Sequence, residues 1–355
     1  MNTVKKAAAI SIQAGVPVLL WGSPGSGKTS FVRNVAQRLG KHIEVVIAAL
    51  RDPTDFAGLP IRTENGVEFM PPSWARRLAR EGGILFLDEI SCAPPAVQAA
   101  LLRVVLERVV GDLPLGENVS IVAAANPVDT AASGWELTAP LANRFMHLEW
   151  DAYIDTAEYT AAMVSGVWED NVPVLPNDWK SLIPQARAKV AAFLNVRPEL
   201  AHVTKPKEGE IAYPTRRSWE MAAVLVAAAE SIDVEEDVIH LLVGGAVGIG
   251  AATEFVTWLT NSDLPDPKKV LDDPTILDTV ENRGDKAFAI MAAVAATATA
   301  NMTETMWDKA WKVIEHALSR FDIDLVAIAA RAIARARKPG YKIPPVITRF
   351  GGLVL

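Results

Sequence analysis

One short segment of the sequence constrains the fold more than any other. Residues 22–29 read Gly-Ser-Pro-Gly-Ser-Gly-Lys-Thr, with an apolar run before them at Val16–Trp21 and a helix-like segment after them at Lys28–Leu39. A glycine-rich loop between a buried strand and a helix directs backbone N–H groups inward, and the helix dipole adds to their field. The segment therefore predicts a strand, a phosphate-binding loop and a helix, in that order.

This loop also contains the side chains that a nucleoside triphosphate and its cation require. Lys28 can reach the β- and γ-phosphates, and the Thr29 hydroxyl can ligate Mg²⁺. A chance glycine-rich turn is the alternative, but the flanking strand and helix favour a binding loop. We therefore predict that ATP and Mg²⁺ are held here by Gly22, Ser23, Pro24, Gly25, Ser26, Gly27, Lys28, Thr29 and Ser30.

Two further apolar runs end in polar residues. Ile84–Leu87 precedes Asp88 and Glu89, and Ile121–Ala125 precedes Asn126. Asp88 can hold the Mg²⁺ shell, and Glu89 can orient or deprotonate an attacking water. The amide of Asn126 can position that water or the γ-phosphate without adding charge. Each pattern alone is ordinary turn chemistry, but after a phosphate-binding loop the three residues together predict nucleotide hydrolysis.

The first 150 residues alternate between strand-length and helix-like segments. Such alternation, with nearly continuous apolar strands, predicts a parallel sheet covered on both faces. Asn65-Gly66, within residues 58–72, predicts a β-hairpin inserted between the second and third strands. The predicted strands are Val16–Trp21, Ile43–Ala48, Ile84–Leu87, Val119–Ala124 and Phe145–Leu148, and the predicted helices are Lys28–Leu39, Trp74–Arg80, Pro94–Glu107 and Leu137–Asn143.

The pattern changes after Trp150 and becomes helical from Thr215 onward. We predict an α/β domain at residues 1–150, a linker at 151–210, a helical lid at 211–262 and additional C-terminal helices at 263–355. The helices predicted in the second half are Arg216–Ser231, Val234–Asn261, Thr275–Ala300 and Met306–Arg337, with a further helical patch at Ser181–Leu194.

The order of these motifs resembles the MoxR family of AAA+ ATPases. The resemblance covers residues 14–150 well and 210–230 in part, and the hairpin lies where the family's helix-2 insert would fall. It implies a P-loop NTPase αβα domain followed by an all-helical lid. The matching segments are Asp88-Glu89-Ile90, Pro94-Pro95, Ala100-Leu101-Leu102, Glu107-Arg108, Asn126-Pro127 and Leu137 to Phe145.

The resemblance implies roles for two arginines. Arg144 matches the arginine finger, which reaches the γ-phosphate bound by a neighbouring subunit, although an arginine can also cap a helix C-terminus. Arg216 matches the sensor-2 arginine, which contacts the nucleotide from the same chain, and the adjacent Arg217 competes for that role. Asn143 stands where the family usually has Asp, and Ala139 where it has Glu.

The resemblance implies a function as well as a fold. The resemblance implies a homo-oligomeric ring, a hexamer, that hydrolyses ATP to remodel or mature a protein partner, such as a von Willebrand factor A-domain protein. A nucleic-acid motor or restriction component is an alternative, and a nucleotide-gated scaffold such as a gas-vesicle assembly ATPase is another. The 35 Lys and Arg against 42 Asp and Glu give a net charge of −7, which argues against non-specific binding to nucleic acid.

The remaining features predict a cytoplasmic protein without a membrane span. No signal-peptide pattern opens the sequence, and the uncharged runs Leu241–Thr253 and Ala287–Thr303 are more typical of buried soluble helices. The single cysteine, Cys92, cannot form an intramolecular disulfide. The five histidines, His147 among them, are dispersed along the chain, so we predict structural roles for them.

Overall fold

A computed structural model gives the positions of residues 2–64, 66–127, 135–150, 156–166, 171–204, 206, 209–261, 264–300 and 302–353. The strands described are β1 (Val18–Trp21), β2 (Ile43–Ile47), β3 (Leu59–Thr63), β4 (Gly66–Met70), β5 (Gly83–Asp88), β6 (Val109–Val110), β7 (Leu113–Pro114), β8 (Val119–Ala125) and β9 (Met146–Glu149).

Helices make up most of the remaining described structure. They are α1 (Thr3–Ala14), α2 (Lys28–Arg38), α3 (Thr54–Ala57), α4 (Ser73–Glu81), α5 (Pro95–Glu107), α6 (Ala139–Ala142), α7 (Thr156–Ser165), α8 (Ile183–Val196), α9 (Arg216–Glu230), α10 (Glu236–Val247), α11 (Ile249–Thr260), α12 (Pro267–Asp272), α13 (Gly284–Ala300), α14 (Glu304–Ala317) and α15 (Ile323–Arg335). Within the described ranges, no helix combines the length and the apolar character that crossing a membrane requires.

A parallel sheet of five strands, in the order β2-β5-β8-β1-β9, forms the centre of the α/β domain. Side chains alternate between its two faces, as the two-residue period of a strand requires. Leu85 and Leu87 belong to a core with α4 and α5, whereas Ile84 and Phe86 belong to a core with α1, α2 and the helices α8 to α11. The predicted parallel αβα fold is therefore confirmed.

The predicted hairpin insert is present between β2 and β5. β3 and β4 pair in antiparallel register, with Leu59 opposite Met70. Asp112, in the short β6–β7 turn, accepts a hydrogen bond from Phe69 N at 2.8 Å and donates its own N–H to Phe69 O at 3.1 Å. This second turn, which the sequence did not reveal, therefore holds the base of the insert. Asn65, on which the prediction partly depended, lies outside the described residues.

Three long helices that the sequence predicts as continuous are each divided. Val234–Asn261 breaks at Gly248, whose φ of +87° belongs to the left-handed region that glycine favours and which separates α10 from α11. Met306–Arg337 breaks after Leu318, and α15 begins only beyond the buried Phe321. Residues Pro274–Thr279 form a 3₁₀ helix, and α13 starts at Gly284. Periodicity predicted the helical content but not these turns.

The C-terminal helices build a core of their own. Its side chains come from α12 to α15 and include the adjacent rings of Trp307 and Trp311, whose centroids lie 5.5 Å apart. α8, inside the segment predicted as a linker, packs against both α9 and α13 and so joins this bundle to the lid. The predicted domain boundaries stay a prediction.

Helix α10 approaches the sheet closely at one glycine. A Cβ on Gly245 would lie 2.3 Å from His147 O and 2.7 Å from Met146 Sδ, both on β9. The neighbouring Gly244 has space, since its Cβ would find Ala252 Cβ at an ordinary 3.7 Å. Gly245 is therefore required by packing between lid and sheet, and Gly244 is not.

We expect Gly245→Ala to lower the free energy of unfolding by about 1–3 kcal/mol, because α10 must move away from β9. Gly244→Ala is the matched control and should be neutral or raise that free energy by up to about 1 kcal/mol through its helix propensity. Urea unfolding followed by circular dichroism measures both. Equal effects of the two substitutions would contradict the packing argument.

Candidate functional site

The predicted phosphate-binding loop connects β1 to α2. Gly27 has a φ of +87° and is the N-cap residue of α2, a conformation that suits glycine and starts the helix directly after the loop. Lys28 is buried, and its Nζ donates hydrogen bonds to Gly22 O at 2.6 Å and Ser23 O at 2.9 Å. The ammonium group is therefore placed inside the loop that it is predicted to serve.

The second predicted motif meets this loop through one hydrogen bond. Thr29 Oγ1 donates to Asp88 Oδ2 at 2.9 Å, which joins the first turn of α2 to the end of β5. A hydroxyl and a carboxylate are hard oxygen ligands of the kind that Mg²⁺ prefers. The donor set at this position therefore fits the predicted cation.

Glu89 follows Asp88 in an unusual backbone conformation. Its φ of 56° and ψ of 39° are left-handed, which costs energy for a residue with a side chain. Its N–H donates to Asp88 Oδ1 at 3.0 Å, and its side chain is exposed. The strand thus turns sharply here, and the carboxylate stays in contact with solvent beside Asp88.

Asn126 lies between the phosphate-binding loop and the two acidic residues. It follows β8, which is hydrogen-bonded to β5 on one side and to β1 on the other. Ser91 Oγ donates to Asn126 O and accepts from Asn126 N, each at 3.2 Å. Gly22 N donates to Ala125 O at 3.0 Å. The structure thus brings residues 22–30, Asp88, Glu89 and Asn126 together at the carboxyl-terminal edge of the sheet.

Arg144 lies at the amino-terminal edge of the sheet, opposite the carboxyl-terminal edge that holds the phosphate-binding loop. It precedes β9, in which Met146 is opposite Val18, whereas the phosphate-binding loop follows Trp21, which is opposite Glu149. At a rise of about 3.3 Å per residue, the two positions are at least about 10 Å apart along the strands. Arg144 therefore lies at the end of β9 that is remote from the phosphate-binding loop of its own chain.

Three arginines line a cleft of about 680 Å³ at this second edge, which we call the arginine cleft. None of the described residues that line it is acidic, so its charge is strongly positive. No residue of the phosphate-binding loop lines it. The lining consists of Ala139, Pro140, Asn143, Arg144, His202, Val203, Thr204, Tyr213, Thr215, Arg216 and Arg217.

Two side chains in the arginine cleft can donate hydrogen bonds to a further acceptor. Arg144 Nη1 donates to Pro140 O, the helix-end contact that the sequence left open, but its Nε has no hydrogen-bond partner in the described parts of the chain. The same is true of Nδ2 of the buried Asn143. Burial, and secondly the positive charge of Arg217, lower the pKa of the Arg144 guanidinium. An anion in this cleft would accept hydrogen bonds from these N–H groups and would stabilise the charged form of Arg144.

Arg216 lines the arginine cleft, and the same-chain contact with nucleotide that the resemblance implied for it stays a prediction. We expected it to contact the nucleotide of its own chain, but it follows Thr215, whose Oγ1 donates to Asn143 Oδ1 at 3.1 Å. This bond places the start of α9 beside Arg144, in the arginine cleft. The packing of the lid therefore brings Arg216 together with Arg144 in a cleft that no residue of the phosphate-binding loop lines. Arg217 lies in the same cleft, so the choice between the two arginines stays open.

Sequence reasoning missed several residues that support these two sites. Ser91 joins the strand ends, and Trp150 Nε1 donates to Ser26 O at 2.9 Å, inside the phosphate-binding loop. His147 is buried between Trp21 and Ala142. Trp150 could have been noticed because it lies two residues after a predicted strand. The contacts of Ser91 and His147 depend on distant parts of the chain and leave no local pattern.

The central sheet, its glycine-rich loop and the Asp-Glu pair define the class of P-loop nucleoside triphosphatases. Residues 17–145 match the family model of the AAA domain, dynein-related subfamily. Residues 17–145 are therefore identified as an AAA domain, and the resemblance to MoxR is confirmed by a relative that is 33% identical. Nucleotide binding is a property of that family.

The relatives match less than half of the chain. The protein MoxR of Methylorubrum extorquens AM1 is 33% identical over 39% of this chain and 41% of its own length. The Psp operon transcriptional activator of Escherichia coli K12 is 37% identical over 31% of this chain and 37% of its own length. The matched segments thus span less than half of these relatives.

A solved structure of a candidate ATPase from Cytophaga hutchinsonii is also similar. It has a TM-score of 0.41 at 20% identity, over 67% of this chain and 78% of that chain. A likeness of this size carries no argument about function.

The environment of His147 predicts a pH dependence of stability. Burial lowers the pKa of His147 to about 4, partly opposed by the hydrogen bond to Ala142 O. An unfolded histidine has a pKa of about 6.5, so between about pH 6.5 and pH 4 the unfolded chain binds a proton that the folded chain does not. This group should therefore destabilise the fold as the pH falls through that range, by about 3 kcal/mol in total.

Urea titrations from pH 7 to pH 4 test this contribution. His147→Gln lacks the imidazole, so its free energy of unfolding should decline less steeply with acidification than that of the wild type. Parallel curves for the two proteins would show that His147 does not contribute.

Proposed function

We propose that this chain hydrolyses ATP in the presence of Mg²⁺, as one subunit of a homo-oligomeric ring of six. The observation that carries the proposal is the 2.9 Å hydrogen bond between Thr29 and Asp88, with Glu89 and Asn126 at the same sheet edge. A loop that only bound phosphate would have no need of two carboxylates and an amide around it. This set of groups supports hydrolysis.

Each residue at this edge has a distinct proposed role. The backbone N–H groups of the phosphate-binding loop and Lys28 hold the β- and γ-phosphates. Thr29 and Asp88 hold Mg²⁺, which when bound neutralises charge on the phosphate oxygens. Glu89, exposed to solvent, orients the attacking water and accepts its proton, and Asn126 positions that water.

The arginine cleft supports action between subunits. Arg144 and Arg216 lie in the arginine cleft at the sheet edge opposite the phosphate-binding loop, and the cleft has positive charge and an N–H without a partner among the described residues. We therefore assign both arginines to the γ-phosphate bound by the neighbouring subunit. This revises the same-chain contact that the resemblance implied for Arg216. A ring in which each cleft meets the next subunit's loop completes every site.

A protein client is the proposed target of the ring. The net charge of −7 disfavours the grip on phosphate backbones that a nucleic-acid motor requires. Similarity to MoxR supports a chaperone-like role in remodelling or maturation. A von Willebrand factor A-domain protein is the partner class that we propose, and the cytoplasm is the proposed compartment.

The experiment that tests this function mixes two inactive variants. Glu89→Gln should retain ATP and lose turnover, and Arg144→Ala should lose turnover by a factor of about 10³ or more. In mixed rings, an Arg144→Ala subunit can receive an intact Arg144 from a Glu89→Gln neighbour. ATP turnover of the mixture should therefore exceed the sum of the two separate variants.

The control for this experiment replaces the Glu89→Gln partner by the double variant Glu89→Gln/Arg144→Ala. That partner cannot supply an arginine, so the mixture should stay inactive. Wild-type turnover in an isolated subunit, or no rescue in mixed rings, would contradict the proposed arrangement.

One observation favours a second function, in which the ring acts on nucleic acid. Residues 325–355 contain six Lys or Arg and no Asp or Glu, although the whole chain is acidic. Arg331 and Arg335 are exposed and lie one helical turn apart on α15. A relative named as a transcriptional activator is consistent with this alternative. Such a basic surface can bind phosphate backbones.

ATP turnover measured with and without DNA at two salt concentrations distinguishes the two functions. We expect no stimulation by DNA, because the proposed client is a protein. Stimulation that falls with salt and is absent from Arg331→Gln/Arg335→Gln would overturn the client proposal in favour of nucleic acid. Stimulation that persists in this variant would assign DNA binding to another surface.

A further inference from the structure

A buried histidine connects the two candidate sites of the subunit. His147 lies on β9 and is 7% exposed. Its Nδ1 accepts a hydrogen bond from Trp21 Nε1 at 3.0 Å, and its Nε2 is 2.9 Å from Ala142 O. An indole N–H can only donate and a carbonyl can only accept, so the ring is neutral with its proton on Nε2. Both ring nitrogens therefore take part in hydrogen bonds, Nδ1 as an acceptor and Nε2 as a donor.

One partner of His147 belongs to the phosphate-binding edge. Trp21 is the last residue of β1 and directly precedes the loop. Trp21 O accepts from Trp150 N at 2.6 Å, and Trp150 Nε1 donates to Ser26 O at 2.9 Å inside the loop. Trp21 and Trp150 thus form one hydrogen-bonded unit with the loop. This unit therefore links the phosphate-binding loop to the hydrogen bond between Trp21 and His147.

The other partner belongs to the arginine cleft. Ala142 ends α6 and directly precedes Asn143 and Arg144. Arg144 donates to Pro140 O in the same short helix, and Asn143 accepts from Thr215 at the start of α9. The carbonyl that His147 holds therefore belongs to the segment that fixes the position of the arginine. Ala142 O also accepts a hydrogen bond from Phe145 N at 3.0 Å, so His147 makes one of two contacts at this carbonyl.

We propose that His147 is a positioning residue that couples the phosphate-binding loop of its own subunit to the placement of Arg144, and through it to hydrolysis in the neighbouring subunit. This inference rests on the proposed function. The rigid imidazole ring transmits a displacement of Trp21 to Ala142 O without an intervening flexible side chain. Displacements of about 1 Å in a positioned group can change rates by about 10²-fold. Binding of ATP in one subunit thus alters turnover in the next.

Two substitutions interrupt this connection to different extents. Trp21→Phe keeps an aromatic ring but removes the N–H that bonds His147, whereas the contact of His147 with Ala142 remains. His147→Phe removes both hydrogen bonds. Trp307→Phe is the matched control, because it removes an indole N–H bond of 2.9 Å, to Lys342 O, within the C-terminal bundle.

The experiment measures turnover of the full-length ring against ATP concentration, with ring assembly checked by light scattering. We expect positive cooperativity in the wild type and in Trp307→Phe, and a Hill coefficient near 1 in Trp21→Phe and His147→Phe. His147→Phe should in addition lower kcat about tenfold more than Trp21→Phe does. His147→Gln, which retains an N–H near the Nε2 position, should recover most of that kcat without the cooperativity.

A double-variant comparison distinguishes positioning from general support of the fold. In an Arg144→Ala background, His147→Phe should cause no further loss of kcat if it acts through Arg144. An equal loss in both backgrounds would overturn the proposal, and so would a non-cooperative wild type or unchanged cooperativity in Trp21→Phe. If His147→Phe does not fold, Trp21→Phe and His147→Gln still decide the question. Wild-type turnover that survives Arg144→Ala would instead contradict the proposed function itself.

Discussion

The pairing of β1 with β9 is the constraint on which both candidate sites depend. Val18 lies opposite Met146 and Trp21 opposite Glu149, so the two strands run in the same direction and in fixed register. The phosphate-binding loop leaves the carboxyl end of β1, whereas Arg144 enters at the amino end of β9. A parallel pair cannot bring these ends together. The carboxylates and the arginines of one subunit are therefore held at opposite edges of the sheet.

The catalytic edge depends in turn on strand order. Because β8 lies between β5 and β1, Asn126 is placed between Asp88 and the glycine-rich loop. Local hydrogen bonds then join the strand ends, from Thr29 to Asp88 and between Ser91 and Asn126. Both faces of the sheet are covered by apolar side chains, so the strand ends are where polar groups can gather without a cost of burial.

The features that the sequence predicted are those encoded locally. The five strands, the hairpin and the phosphate-binding loop each have a continuous pattern, and strand direction follows from the alternation of strands and helices. The position of Arg216 could not be predicted, because it depends on a hydrogen bond between Thr215 and Asn143, 72 residues apart in sequence. His147 was predicted to be structural because the histidines are dispersed, and its contact with Trp21, 126 residues away, leaves no local pattern. Gly248 broke a predicted helix through its backbone conformation, which periodicity does not report.

The lid of this chain shares a core with the sheet. Val238, Leu242 and Ala246 of α10 pack in the same hydrophobic cluster as Ile10 of α1 and Met146 of β9, and Gly245 lies against the β9 backbone. Close packing of this kind transmits displacement and does not absorb it. In the proposed ring, a change at the phosphate-binding loop is therefore not taken up by a hinge between sheet and lid. It passes to the arginine cleft. There Asn143 and Thr215 are joined by one neutral hydrogen bond, worth about 1 kcal/mol, which can break and form again during each cycle of ATP hydrolysis.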